Sequence, residues 1–317
     1  MKLVEEAKQT QKGMNIFAEL GVFILVFLVS SLVEGFIVAP VQLAMLFGNK
    51  EYIQATMTGD VTKVTEISMS LMDNPYLSVL SLFATGGMIL TVILFCRWIQ
   101  KRKVTSIGFV KKNWVKQYLL GCVVGFVMFS VAVGICVLTG SVSFVGVSST
   151  FQVGLWILFL LGFLVQGMAE EVLCRGYFLV SVGRRYSLVV GIIANSIFFS
   201  ALHLLNAGLS VLALVNLVLF GVFASVYFIK TENIWGVGAI HSIWNFVQGN
   251  LYGIRVSGTP VHCSIFEIAT NYDKTLINGG DFGLEGGLGV TIVLVVATVI
   301  TLLIGKKKEL NLEEKVL

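Results

Sequence analysis

Charged residues along this chain fall in short clusters separated by long apolar runs. Residues 74–96, 117–169, 186–229, 233–254 and 286–305 contain no Asp, Glu, Lys or Arg. A helix needs about 20 apolar residues to cross the hydrocarbon of a bilayer, so the first and the last two of these runs predict one span each. The run 117–169 has room for two, with a polar break around Thr139–Gln152. The run 186–229 also has room for two, hinged near Asn206-Ala207-Gly208. Ahead of them, Met14–Pro40 is hydrophobic but carries Glu19 and Glu34. The pattern predicts an all-α, polytopic membrane helical bundle of about eight transmembrane helices.

The basic residues orient that bundle, because Lys and Arg collect in cytoplasmic loops near span ends. With the N-terminus inside, the inner side takes Lys2, Lys8, Lys12, Arg97, Lys101, Arg102, Lys103, Lys111, Lys112 and Lys116. It also takes Arg175, Arg184, Arg185, Lys230, Lys306, Lys307, Lys308 and Lys315. Of the 22 basic residues only Lys50, Lys63, Arg255 and Lys274 are left outside. Both termini are therefore expected to be cytoplasmic, in a multi-pass protein of a cell membrane, in style a bacterial plasma membrane.

Composition agrees. Hydrophobic residues make up 56% and charged residues 13% of the chain, against about 25% charged in soluble domains, and mean hydropathy is +0.89. The net charge of +4 comes from the inner basic residues, which suit anionic lipid headgroups rather than nucleic acid. No cleavable signal precedes the first span, which reads as a retained anchor. Cys96, Cys122, Cys136 and Cys174 fall in or beside spans and only Cys263 lies in an outer loop, so no disulfide framework is expected. Residues 1–317 read as a single transmembrane domain, with N-terminal helices over 14–140, outer loops at 41–73 and 253–285, and a last span at 286–305.

Four acidic residues remain inside the membrane. A charge at mid-bilayer costs at least about 2.5–3.5 kcal/mol, so such groups face a protein interior and find a partner. Glu19 and Glu34 lie near the ends of the first span and are expected to reach the interface. Glu170 and Glu171 follow the charge-free run Phe151–Ala169. At 100° per residue, Glu171 stacks on Arg175 four positions on, while Glu170 points roughly 100° away from its neighbour. Glu171 is thus neutralised and Glu170 is left to project into a wet cavity. Two of the three histidines, His203 and His241, are also intramembrane. Asn195, Phe199 and His203 form one helical stripe, His241 and Asn245 another, and His262 reads as a solvated loop residue.

These residues carry a resemblance. Glu170-Glu171-Val-Leu-Cys-Arg175-Gly resembles the EExxxR signature of the CAAX-processing and bacteriocin-processing (CPBP, or Abi) intramembrane proteases. Phe199-Ser-Ala-Leu-His203 is similar to the family's FxxxH element and His241-Ser-Ile-Trp-Asn245 to its HxxxN element. The three occur in order across a catalytic core of about residues 150–250. Cys174 departs from the pattern, standing where the family commonly has Phe, at a position of packing rather than chemistry.

The resemblance implies an intramembrane endopeptidase with Glu170, Glu171, Arg175, His203, His241 and Asn245 as its catalytic set. Glu170 and His203 hold and deprotonate a water, His241 and Asn245 donate to the oxyanion, and the Glu171–Arg175 pair orients the helix. No cofactor is expected. The alternative is a zinc or other divalent ion on Glu170, His203 and His241, although neither histidine sits in an HExxH arrangement and Asn is a poor zinc ligand. Partners implied are a peptide or membrane-anchored protein substrate and membrane lipids, with no nucleic acid. Substrates fall among bacteriocin leaders and other peptides, in maturation or self-immunity, and CAAX-type tails. A non-catalytic scaffold binding a sensor kinase or cell-wall enzyme is the competing reading, and a proton-coupled transporter a third. Counting residues from the loops places Glu170 and His203 at similar depth and His241 shallower.

Overall fold

The computed structural model describes residues 1–10 and 13–313, with side chains other than those of residue 72 and residues 305–313. Lys12 and Lys315 lie outside the described residues, as do the side chains of Lys306, Lys307 and Lys308. The protein is a mostly helical bundle. A short N-terminal helix α1 (Lys2–Lys8) precedes α2 (Ile16–Gly48), and the outer segment that follows folds as α3 (Lys50–Thr58) and α4 (Val61–Met72). Then come α5 (Pro75–Ile99), α6 (Trp114–Leu138), α7 (Val153–Arg185), α8 (Leu188–Ala201) and α9 (Val211–Thr231). The bundle is completed by α10 (Ile234–Phe246), continued by a π turn to Leu251, and α11 (Leu288–Glu313).

The eight expected spans thus correspond, among the described residues, to α2 and α5–α11. Five of them, α2, α5, α6, α7 and α9, are long and apolar enough to cross a membrane. Side chains such as Phe17, Leu28, Phe36, Leu119, Val123, Ile292 and Leu303 point outward and form an apolar skin suited to lipid. Side-chain caps mark several starts: Asn74 accepts from Tyr76 N before Pro75 at the first turn, Ser187 from Val190 N, Ser210 from Ala213 N and Asn233 from Trp235 N.

Three features depart from the expected spans. The first span does not stop at Pro40, since α2 carries on to Gly48; a proline removes one backbone bond, which the remaining turns outlast. The helix α8 has 14 residues, about 21 Å at 1.5 Å per residue, too short for a bilayer of about 30 Å. Its chain breaks into a turn over residues 202–210, and irregular backbone at membrane depth is tolerated where it lines a polar cavity. The third is a two-stranded antiparallel ribbon in which β1 (Val142–Val147) pairs with β2 (Phe266–Thr270), bulged between Phe144 and Gly146. It ties the 253–285 loop to the α6–α7 connection.

Helix α10 sits at the centre, gripped by α6 and α7. A Cβ on Gly121 would come 2.3 Å from the Gly236 carbonyl oxygen, one on Gly125 2.5 Å from that of Ile240, and one on Gly167 2.4 Å from Ser242 N. Without a hydrophobic drive between helices in lipid, such close backbone packing supplies the association energy. It holds α7 and α10 at the separation from which their polar side chains meet.

One end of the bundle is closed by charge and by the N-terminus. Leu3, Val4 and Ala7 of α1 are buried, Thr105 donates to Glu6 (2.9 Å) and Arg185 to the Gly13 carbonyl (2.7 Å). Three arginines read as inner-loop cations, Arg102, Arg175 and Arg184, are instead inside the protein. Arg175 is buried in α7, and Arg102 donates to the carbonyls of Gly176 and Ser106 (each 3.0 Å), to Gln100 Oε1 (3.1 Å) and to Ser181 Oγ (3.2 Å). Glu19 is likewise not at the interface: it is fully buried and paired with Arg184 at 3.5 Å. In each case a partner within the bundle replaces water.

Candidate active site

Helix α7 widens into a π turn over Val172–Leu179, immediately after the two glutamates. Such turns inside helices are frequent at functional sites. The two carboxylates separate as their helical positions require. Glu171 is fully buried, and Arg175 Nη1 donates to its Oε1 at 2.9 Å. The same oxygen lies 2.8 Å from His241 Nδ1 on α10. Arg175 also donates to the Gly221 carbonyl (3.4 Å) and sets its guanidinium carbon 4.6 Å from the centre of the Phe199 ring. The pair therefore joins α7 to α8, α9 and α10 at one point.

Glu170 turns the other way. Its side chain is 23% exposed and lines a cavity of about 360 Å³ together with His203, His241 and Asn245. His241 Nε2 stands 3.7 Å from Glu170 Oε2. A carboxylate only accepts hydrogen bonds, so the contact with Glu171 puts a proton on Nδ1 of His241 and aims Nε2 at Glu170. This is how a buried acid orients a catalytic imidazole elsewhere. His203 lies in the turn after α8, its Nδ1 2.9 Å from the Phe199 carbonyl and its ring 5.0 Å from that of Phe199. All six residues singled out from the sequence lie in or against this cavity, with Glu171 and Arg175 forming its buried support.

Depth differs from the residue count. His241 reaches both glutamates and is not shallower than they are. The reason is that α10 starts beneath the surface: Asn233 and Ile234 are buried, and Ile234 N donates to the Gly108 carbonyl at 2.9 Å. Asn245 also has a nearer partner than a substrate oxyanion, since its Nδ2 donates to Gln166 Oε1 at 3.0 Å, and Gln166 Nε2 donates to Glu170 Oε1. Gln166 thus relays α10 to Glu170. It is the functional residue the motifs missed, and the available signal was a lone amide four positions before Glu170 within an apolar run. Replacing it with Leu is expected to lower turnover about 10–100-fold through lost positioning, with the melting midpoint little moved. An unchanged rate would remove Gln166 from the site.

The mouth of the cavity is covered by the chain after α10. Glu285, buried, accepts from Trp244 Nε1 (3.0 Å), Ser257 N (2.8 Å) and Ser257 Oγ (2.7 Å), and Asn206 Nδ2 donates to the Ser257 carbonyl (2.8 Å). His262 is not a free loop residue: its Nε2 is 3.1 Å from Ser78 Oγ, its ring stacks on Phe159, and its side chain is 13% exposed at the cavity wall. Among the described residues no three of His, Cys, Asp and Glu converge closely enough to hold a metal ion.

The site is thus a helical membrane bundle with paired acids, two imidazoles and an amide around one cavity. Residues 152–247 match the family model of the Rce1-like type II CAAX prenyl endopeptidases, and all three motifs fall within that segment. No curated protein and no solved structure matches the chain. The family supports intramembrane endopeptidase activity in general terms.

Proposed function

We propose that this chain is an intramembrane endopeptidase of a cell membrane, in orientation and style a bacterial plasma membrane, with both termini cytoplasmic. It hydrolyses a peptide bond of a membrane-associated peptide or protein, in peptide maturation, self-immunity or CAAX-type processing. The observation that carries the reading is the division between adjacent carboxylates: Glu171 is spent on Arg175 and His241, and Glu170 is presented to the cavity. Glu170 takes a proton from a water held between it and His203, and the water oxygen attacks the carbonyl carbon. His241, protonated on both ring nitrogens with Nδ1–H held by Glu171, donates from Nε2 to the developing oxyanion with Asn245 beside it, each such donor contributing about 2.7–4 kcal/mol. Glu170 then passes its proton to the departing amine nitrogen.

No metal enters these steps. The test is purified protein incubated with a library of membrane-tethered peptides, with products read by mass spectrometry for wild type and Glu170→Ala. Cleavage that depends on Glu170 and survives a chelator is expected. Activity lost to the chelator and restored by zinc would overturn the metal-free steps. An absence of Glu170-dependent cleavage would leave the scaffold reading.

A further inference from the structure

The cavity belongs to one half of the bundle only. Every wall helix contributes from the end remote from α1: α5 through Ser81 and Leu82, α9 through Asn216 and Leu217, α11 through Val290 and Leu294. Its rim is built from the turn after α8 and the 253–285 loop, with Thr259 and Pro260 exposed to solvent. Toward the other end the path is shut. Below Glu170 lie the buried Glu171–Arg175 pair, then Arg102 bonded across to the Gly176 and Ser106 carbonyls, then α1 seated with Val4 beside Gly183. Lys2, Lys8, Lys103, Arg184, Arg185 and Lys230 gather at this closed end. By the distribution of basic residues it is the cytoplasmic end.

We propose that the site is loaded from the extracytoplasmic face, and that its substrate is an extended segment of an exported or membrane-anchored polypeptide cut at an internal bond. This rests on the endopeptidase reading above and adds to it the side of entry and the form of the substrate. From Phe159 at the upper wall to Glu170 along α7 is roughly 16 Å at about 1.5 Å per residue. An extended chain covers about 3.3 Å per residue, so about five unfolded residues reach from the wall's upper edge to the carboxylate. The charge of the cavity sets the second requirement. Among the described residues its lining holds Glu170 and Glu285 but no Lys or Arg, so no lysine or arginine receives a free terminal carboxylate, and like charges repel more strongly away from bulk water. A bond well inside a chain of neutral or basic residues meets neither difficulty.

The test reads access and cleavage separately. In a background with the native cysteines replaced by Ala, Leu82→Cys in the cavity wall, Thr259→Cys at the rim and Lys103→Cys at the closed end are exposed to a membrane-impermeant maleimide. Right-side-out and inverted vesicles are compared. Labelling of positions 82 and 259 from outside, and of 103 from inside only, is expected. In parallel, a nine-residue uncharged peptide joins a single-span anchor to a soluble tag, placed on the outer or the inner face. Cleavage of the outer probe by wild type but not by Glu170→Ala is expected, at least tenfold slower when two Asp are placed in the window. Labelling of position 82 from inside, or cleavage of the inner probe alone, overturns the proposal. Outward labelling with cleavage of neither probe overturns the endopeptidase reading and the substrate assignment with it.

Discussion

Arg175→Ala is expected to destabilise the protein by about 3–5 kcal/mol, the usual cost of removing one partner from a buried ion pair. The variant leaves the Glu171 carboxylate fully buried with only His241 beside it. It also empties the space over the Phe199 ring, where the guanidinium sits 4.6 Å from the centroid. Thermal unfolding in detergent measures the loss. The double variant Arg175→Met with Glu171→Leu removes both charges at similar volume and is expected to recover most of the stability, because the penalty lies in the unpaired ion rather than in the missing contact. It should remain inactive, since nothing then orients His241. Wild-type stability of Arg175→Ala would show that the pair does not anchor the four helices it joins.

Glu170→Gln is expected to lower peptide hydrolysis about 10²–10⁴-fold, the range that a general base contributes, while leaving the unfolding midpoint within about 1 kcal/mol of wild type. The amide keeps the volume and an acceptor for Gln166 but cannot take a proton. Glu171→Gln is expected to behave differently, losing stability and activity together, because Arg175 and His241 both depend on that carboxylate. Parallel measurement of turnover and unfolding for the two variants separates the reacting acid from the supporting one. Equal effects of the two substitutions on stability would contradict the division of labour between neighbouring carboxylates.

Much of this arrangement was legible beforehand because the membrane simplifies the code. Charge-free runs mark helices, and the polar break at Thr139–Gln152 fell between Leu138 and Val153, where α6 ends and α7 begins. The i, i+4 spacing of Glu171 and Arg175 is local geometry and survived even though a π turn begins between them. What escaped were contacts made across the fold. Glu171 was assigned one partner and has two, because His241 approaches from a different helix. Arg102 and Arg175 were placed among loop cations because a count of basic residues cannot see that Gly176, Ser106 and Gly221 carbonyls surround them. The ribbon of β1 and β2 and the docking of His262 on Ser78 join segments remote in sequence, and no local periodicity announces such pairings. The shallow position assigned to His241 failed for a related reason: α10 begins under cover of the Gly108 turn.

The pairing of Glu19 with Arg184 bears on how the protein is assembled. Glu19 is on α2, and the cation that neutralises it comes much later in the chain, at the end of α7. Until that arginine is synthesised the acid has no counter-ion in the place it finally occupies, and holding it in hydrocarbon alone is unfavourable. Helix α2 therefore waits at the water boundary, neutralised there, and takes its final seat only after α7 has been inserted.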